Sequence, residues 1–222
     1  QNNGTSSMYR AEDKDRDQSY FLFNTTQDQL DYLRFPLGSI NKSETRNIAN
    51  KLKLNVATKP DSQDICFVPN GNYASVIEKY RPQSFKKGDI FDVKGNKIGT
   101  HNGIINYTVG QRKGIGISGS KEPLYVVNID KDQNSITLGP KEKLKKKVIS
   151  FKNINWLGGD ISQNKLNCTA KIRSTQQDLP GVLDINKDSG TFSFDTKLDG
   201  TSPGQACVFY KKDQLLGGGW IT

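Results

Sequence analysis

The spacing of apolar positions divides the 222-residue chain into a helical first section and a longer β-rich remainder. Residues 1–16 are polar and densely charged, and read as a strand end and loop. Tyr20-Phe21-Leu22-Phe23 follows as a compact apolar run suited to a buried turn or short helix. Thr26, with Gln29 three residues on, has the form of a capping box and predicts a short helix through Leu33, ended by Phe35-Pro36-Leu37-Gly38. Ile48, Ala49 and Leu52 recur at helical spacing and predict a second helix over 43–52, with Arg46 and Lys51 on its outer side. A third is predicted over 73–80, capped by Asn72.

After Arg81-Pro82 the apolar period shortens to two. Asp89–Val93 and Lys97–Gly99 flank Lys94-Gly95-Asn96, a hairpin signal, and Leu124–Ile129 and Ser135–Leu138 flank the polar turn 130–134 as a second hairpin. The Lys-rich stretch 142–147 reads as a linker or exposed turn between two β-rich domains. Beyond it, short strands are predicted over 148–151, 168–173, 182–185, 191–194, 206–210 and 215–221, a spacing that favours a small closed barrel. The fold class is therefore α+β, mostly β.

Hydrophobic content of 33% against 25% charged describes a polar chain, with a mean hydropathy of −0.67. No apolar stretch approaches the roughly 20 residues that span a bilayer. Thirty-two basic against 23 acidic residues give a net charge of +9, which points to a polyanionic partner, nucleic acid being the commonest. Three widely spaced cysteines do not form a secreted disulfide scaffold and fit a reducing compartment. The polar start, Gln1-Asn2-Asn3-Gly4, resembles neither a signal nor a transit peptide, and the chain reads as part of something longer.

Chemistry is sparse. Gly114-Ile115-Gly116-Ile117-Ser118-Gly119 has the form of a dinucleotide fingerprint, but Pro123 and a strand follow it where a phosphate-binding helix is required, so it is rejected. Asp130, Asp132 and Asn134 have the spacing of a calcium loop, yet Ser135 and Lys141 stand where glycine and a bidentate acid are needed. A hairpin turn explains them better. The single histidine, His101, has no cysteine cluster with which to hold zinc. Cys168 and Cys207 fall inside strand patterns and read as core residues. Cys66 differs. It sits in Ile65-Cys66-Phe67-Val68, between Pro60-Asp61 and Pro69-Asn70-Gly71, where turns can present a thiol at a surface. Two readings stand: a small buried hydrophobe, as free cysteines commonly are, or a nucleophile. For a nucleophile, Asp61 and Asp64 oppose thiolate formation, a difficulty that a more acidic persulfide would ease.

Seven stretches together resemble one family, the tRNA-specific 2-thiouridylases. They are Arg16-Asp17-Gln18-Ser19-Tyr20-Phe21-Leu22, Phe35-Pro36-Leu37-Gly38, Asp61-Ser62-Gln63-Asp64-Ile65-Cys66-Phe67 and Gly99-Thr100-His101-Asn102-Gly103. Tyr107-Thr108-Val109-Gly110-Gln111-Arg112-Lys113-Gly114-Ile115-Gly116, Pro123-Leu124-Tyr125-Val126-Val127 and Ser202-Pro203-Gly204-Gln205-Ala206 complete the set. The resemblance implies a remnant of an α/β nucleotide-binding domain over 1–66, a small β-rich central domain over 67–141 and a six-stranded β-barrel over 142–222. It implies ATP-dependent thiolation of the wobble uridine of tRNA. The uridine C2 oxygen is adenylated, and Cys66 carries sulfur as a persulfide whose terminal atom attacks C2. A second cysteine, in the N-terminal domain, then releases the product. By the same matching, Arg16, Asp17, Gln18, Arg173, Ser174 and Gln205 fall on tRNA-contacting positions, with Arg16 replacing the family's usual Lys and Ser174 its usual aromatic. The implied partners are tRNA and a persulfide sulfur-carrier protein, the implied state a monomer, and the implied compartment a bacterial cytoplasm or an organellar matrix. The family's Ser-Gly-Gly-x-Asp-Ser ATP motif is absent from these residues, so the ATP site is expected outside them, and no metal ligand set is expected. The rival reading is a non-catalytic RNA-binding barrel module in which Cys66 is structural.

Overall fold

A computed structural model describes residues 5–59, 85–117, 119, 122–159 and 164–222 of the protein. Cys66 and the helix predicted over 73–80 lie outside the described residues. The chain forms two compact units. One gathers Gln1–Asp61, Lys147–Thr196 and Pro203–Thr222, and the other Ser62–Lys146 and Lys197–Ser202.

The helical first section forms where capping chemistry directs it. Helix α1, Gln27–Tyr32, opens on a full capping box: Thr26 accepts from the Gln29 N–H while the Gln29 side chain accepts from the Thr26 N–H. Helix α2, Lys42–Lys51, is capped in the same way by Asn41 and Glu44, a pairing that apolar spacing does not register. Its apolar side is not packed: no residue of α2 is buried, and Ile48 and Leu52 are 45% and 64% exposed.

The second unit holds a four-stranded sheet of β1 (Gly88–Asp92), β2 (Lys97–His101), β3 (Tyr125–Asp130) and β4 (Ser135–Gly139), in the order β2-β1-β4-β3. Both predicted hairpins form. In the first, the Asp92 carboxylate accepts from the N–H groups of Lys94 and Asn96 and from the Asn96 side chain. In the second, Asp130 accepts from the Asp132 and Gln133 N–H groups, so its carboxylate organises a turn. β1 and β4 pair in parallel, which joins the hairpins and closes a core of Ile90, Ile115, Val126, Ile136 and Leu138. His101 is 1% exposed beside this core. Its Nδ1 accepts from the Gly103 N–H and its Nε2 donates to the Asn134 carbonyl, which explains a lone histidine without a metal.

The barrel is closed by β5 (Lys145–Trp156), β6 (Lys165–Lys171), β7 (Leu179–Asn186), β8 (Ser189–Asp199), β9 (Ala206–Lys211) and β10 (Gln214–Ile221) in the order β10-β5-β8-β7-β6-β9. Phe151, Phe192, Phe194 and Phe209 fill the interior, with ring centroids 4.5 to 6.1 Å apart. Burying each such ring stabilises the fold by roughly 2–3 kcal/mol. One sequence expectation changes: Lys145–Lys147 are not linker but the first residues of the twelve-residue β5. Lysine is a poor strand former, and pairing in the closed sheet overrides that local preference.

β9 is buried on both faces. Cys207 and Phe209 alternate with Ala206, Val208 and Tyr210, and this second set packs against Met8, Tyr20, Phe23 and Leu30 of the first section. A run of five apolar residues without alternation is what a strand covered on both faces requires.

Candidate RNA-contact surface

The first section is fastened to the barrel through Tyr20 and its neighbours. The Tyr20 hydroxyl donates to the Ala206 carbonyl at 3.0 Å. The Asn155 side-chain amide donates to the carbonyls of Phe23 and Thr25, each at 2.7 Å. Phe23 meets Trp220 edge to face, with centroids 5.2 Å apart. Gly218 makes this approach possible, because a Cβ there would lie 2.6 Å from the Phe23 ring.

These contacts decide where the expected tRNA-contacting positions stand. Arg16 ends the turn Lys14–Arg16 and is exposed. Asp17 turns inward: its carboxylate accepts from the Ala11 and Ser19 N–H groups and, at 2.7 Å, from the Ser19 hydroxyl. It shapes the loop, and Gln18 beside it is exposed. Both line a cleft of about 320 Å³ together with Met8, Arg10, Leu22 and Phe35. Gln205 is exposed just before β9, its carbonyl accepting from the Ile221 N–H. Arg173 is exposed and Ser174 half-buried in the turn after β6, with the Arg173 carbonyl accepting from the Gln176 N–H. The Tyr20 hydroxyl, bonded to the Ala206 carbonyl, joins the segments 16–20 and 205–206.

Burial, above all, pushes the Tyr20 hydroxyl up to about 12, with the nearby Cys207 adding to the shift. Burial does the same to Tyr210, also about 12, against the hydrogen bond it shares with Ser19. Both phenols therefore remain neutral hydrogen-bonding groups over the physiological range. Cys207 is buried and Cys168 half-buried, both as free thiols. Burial pushes Cys168 up to about 12 and Cys207 higher still, so neither is a ready nucleophile.

One part of the surface has no signal in the sequence. Arg10 pairs with Asp178 at 2.8 Å, and its guanidinium lies 3.8 Å from the centre of the Tyr210 ring. Tyr210 in turn shares a 3.2 Å hydrogen bond with Ser19, completing a chain from Asp178 to Asp17. Arg10 and Asp178 are 168 positions apart. Only closure of the barrel brings them together.

Three family models divide the chain among themselves. They are a tRNA methyl transferase HUP domain over residues 1–70, a tRNA methyl transferase PRC-barrel domain over 74–140 and an aminomethyltransferase β-barrel domain over 146–221. A tRNA-specific 2-thiouridylase MnmA of Paracoccus denitrificans is 50% identical over 219 residues, 97% of this chain and 56% of the relative. Proteins of the same name from Dinoroseobacter shibae and Rickettsia canadensis are 51% and 52% identical, over 96% and 95% of the chain and 57% of each relative. The chain belongs to the tRNA-specific 2-thiouridylase family. It spans rather more than half the length of the curated relatives it matches. The domain descriptions name a methyl transferase and the relatives a thiouridylase. Identity near 50% across almost the whole chain favours the second name for this family. Cys66 lies within the stretch matched by the HUP-domain model. Among the described residues neither glycine-rich string fits a nucleotide phosphate: 114–119 leads into β3 and not into a helix, and Gly217–Gly219 lie within β10.

Proposed function

We propose that this chain is the sulfur-carrying and tRNA-holding part of an enzyme that thiolates C2 of the wobble uridine of tRNA. What supports the reading is the 50% identity, over 97% of the chain, to a protein named tRNA-specific 2-thiouridylase. Cys66 is the persulfide carrier, in the proposed remnant 1–66 of the nucleotide-binding domain. The proposed central domain is 67–141 and the barrel 142–222. The terminal sulfur of the Cys66 persulfide forms a carbon–sulfur bond at C2 as the bond from C2 to its activated oxygen breaks. A second thiol, outside these residues, then attacks Cys66, forming a disulfide with it and leaving the outer sulfur on the uridine. ATP supplies the activation of the uridine oxygen from a site outside this chain.

Arg16, Asp17, Gln18, Arg173, Ser174 and Gln205 are the proposed tRNA contacts, with Asp17 acting through the loop it shapes. The partners are tRNA and a sulfur-carrier protein, the working state is a monomer, and the compartment is a bacterial cytoplasm. The test is transfer of sulfane sulfur to the chain, followed by mass spectrometry of its three cysteines. A 32-dalton adduct on Cys66, lost in C66S and unaffected by C168S or C207S, is the expected outcome, the mass being about that of one added sulfur atom. Equal and slow alkylation of all three thiols, with no adduct, would favour a non-catalytic RNA-binding module.

A further inference from the structure

The loop 107–117 of the sheet unit is built with more care than an exposed connection needs. Its turn is closed by the Gln111 N–H donating to the Thr108 carbonyl at 2.9 Å. Two backbone hydrogen bonds pin it to β3: the Gly110 N–H donates to the Val126 carbonyl, and the Val126 N–H to the Gln111 carbonyl. The Gln111 side chain then braces both ends, accepting from the Thr108 N–H and donating to the Lys113 carbonyl, each at 2.9 Å. On one side Tyr107 packs on the core, and on the other Ile115 is buried in it. Gly114 and Gly116 have φ of +70° and +75°, and a Cβ would meet no crowding at either, so glycine is needed there for backbone conformation alone.

The residues that this bracing holds in place are Arg112 and Lys113. Both are exposed, and neither has a side-chain hydrogen bond or ion pair among the described residues. Adjacent cations left free repel each other, and nothing in the core requires them. A solvated charged loop would need neither the glutamine brace nor two anchors. Ordering the loop in advance removes the entropy that a flexible basic loop loses when it meets its partner.

We infer that Arg112 and Lys113 form a preformed clamp for the phosphate backbone of RNA, held in position by Gln111. The inference rests on the tRNA-holding function proposed above, and it assigns to the sheet unit a contact surface of its own. Gln111 is a positioning residue: it touches the loop, not the RNA.

The test is binding of an unmodified tRNA transcript by the chain, measured by fluorescence anisotropy across a series of KCl concentrations. R112A/K113A should reduce the slope of log affinity against log salt by about 2, one per phosphate contact removed. At about 0.1 M salt it should weaken binding roughly ten- to a hundredfold. The control, K94A/K131A, removes the same charge from the two hairpin turns of the same sheet, where both lysines are exposed. It should leave the slope within about half of that change. Q111L, which removes no charge, should weaken binding severalfold while circular dichroism stays unchanged. Tight binding by the unaltered chain, with R112A/K113A indistinguishable from K94A/K131A, would overturn this inference and leave the function standing. Absence of tRNA binding by the unaltered chain would overturn both.

Discussion

The Arg10–Asp178 pair offers a measurement of how firmly the first section is held on the barrel. Its side chains are 13% and 23% exposed and meet at 2.8 Å. The Arg10 Nε and Nη2 are buried without a partner among the described residues. In D178A the guanidinium therefore loses its ion-pair partner and keeps the Tyr210 ring and the more distant Asp213 charge as neighbours. Breaking a buried pair from one side costs about 3–5 kcal/mol, and the residual exposure here places D178A near 3. R10M retains the aliphatic volume but leaves the carboxylate unpaired and removes the ring contact, for about 2 kcal/mol. R10M/D178L removes both charges and should lie within about 1.5 kcal/mol of the unaltered chain, since an apolar pair of similar volume replaces a desolvated ionic one. Urea unfolding followed by tryptophan fluorescence isolates the effect, because the only two tryptophans, Trp156 and Trp220, lie in β5 and β10. At a slope of about 2 kcal/mol per molar urea, D178A should lower the midpoint by about 1.5 M. Additive losses, with the double variant as unstable as the two single costs combined, would show that the pair is not coupled and refute this reasoning.

Four further outcomes follow from the same contacts. Burial raises the Asp178 carboxyl, but hydrogen bonds from Arg10 and Thr169 and the Arg10 charge outweigh it and hold the group below its usual range. Its contribution is thus present above the unfolded value of about 3.9 and is lost as pH falls through the lower folded one, so D178N should flatten the acid limb of a stability profile below about pH 4. Tyr20 and Tyr210 run the other way. With both raised to about 12, their contribution is complete below about pH 10 and lost as pH rises toward 12, so Y20F and Y210F should each reduce the alkaline loss seen in thermal melts. Alkylation at pH 8 should label Cys168 and Cys207 only slowly in the folded chain and rapidly in denaturant, because burial holds both thiols protonated. G218A forces a Cβ against the Phe23 ring and should cost about 1–3 kcal/mol; near-neutral unfolding would mean that the first section is not seated as described.

The local elements were legible because their causes are local. Turn chemistry at Lys94-Gly95-Asn96 and around Asp130, and the Thr26–Gln29 cap, each act over a few residues, and each formed as expected. The barrel was legible as a series of short strands, and the run 206–210 carried the trace of a strand buried on both faces. Lys145–Lys147 were misread because their strand character comes from pairing in the closed sheet and not from the residues themselves. The candidate site was legible mainly through the family's motifs. These point to Cys66, which lies outside the described residues, and to six polar positions with no common local pattern.

By itself, then, the sequence determined the period of each segment, the positions of the turns, the basic charge and the family. The tertiary structure alone decided that the segments around Arg16 and Gln205 meet at Tyr20, and that Arg10 finds Asp178 across 168 positions. The division has a physical origin. Turns and caps are selected by backbone energies within a few residues, whereas contacts between distant segments depend on strand register and barrel closure, to which the whole chain contributes.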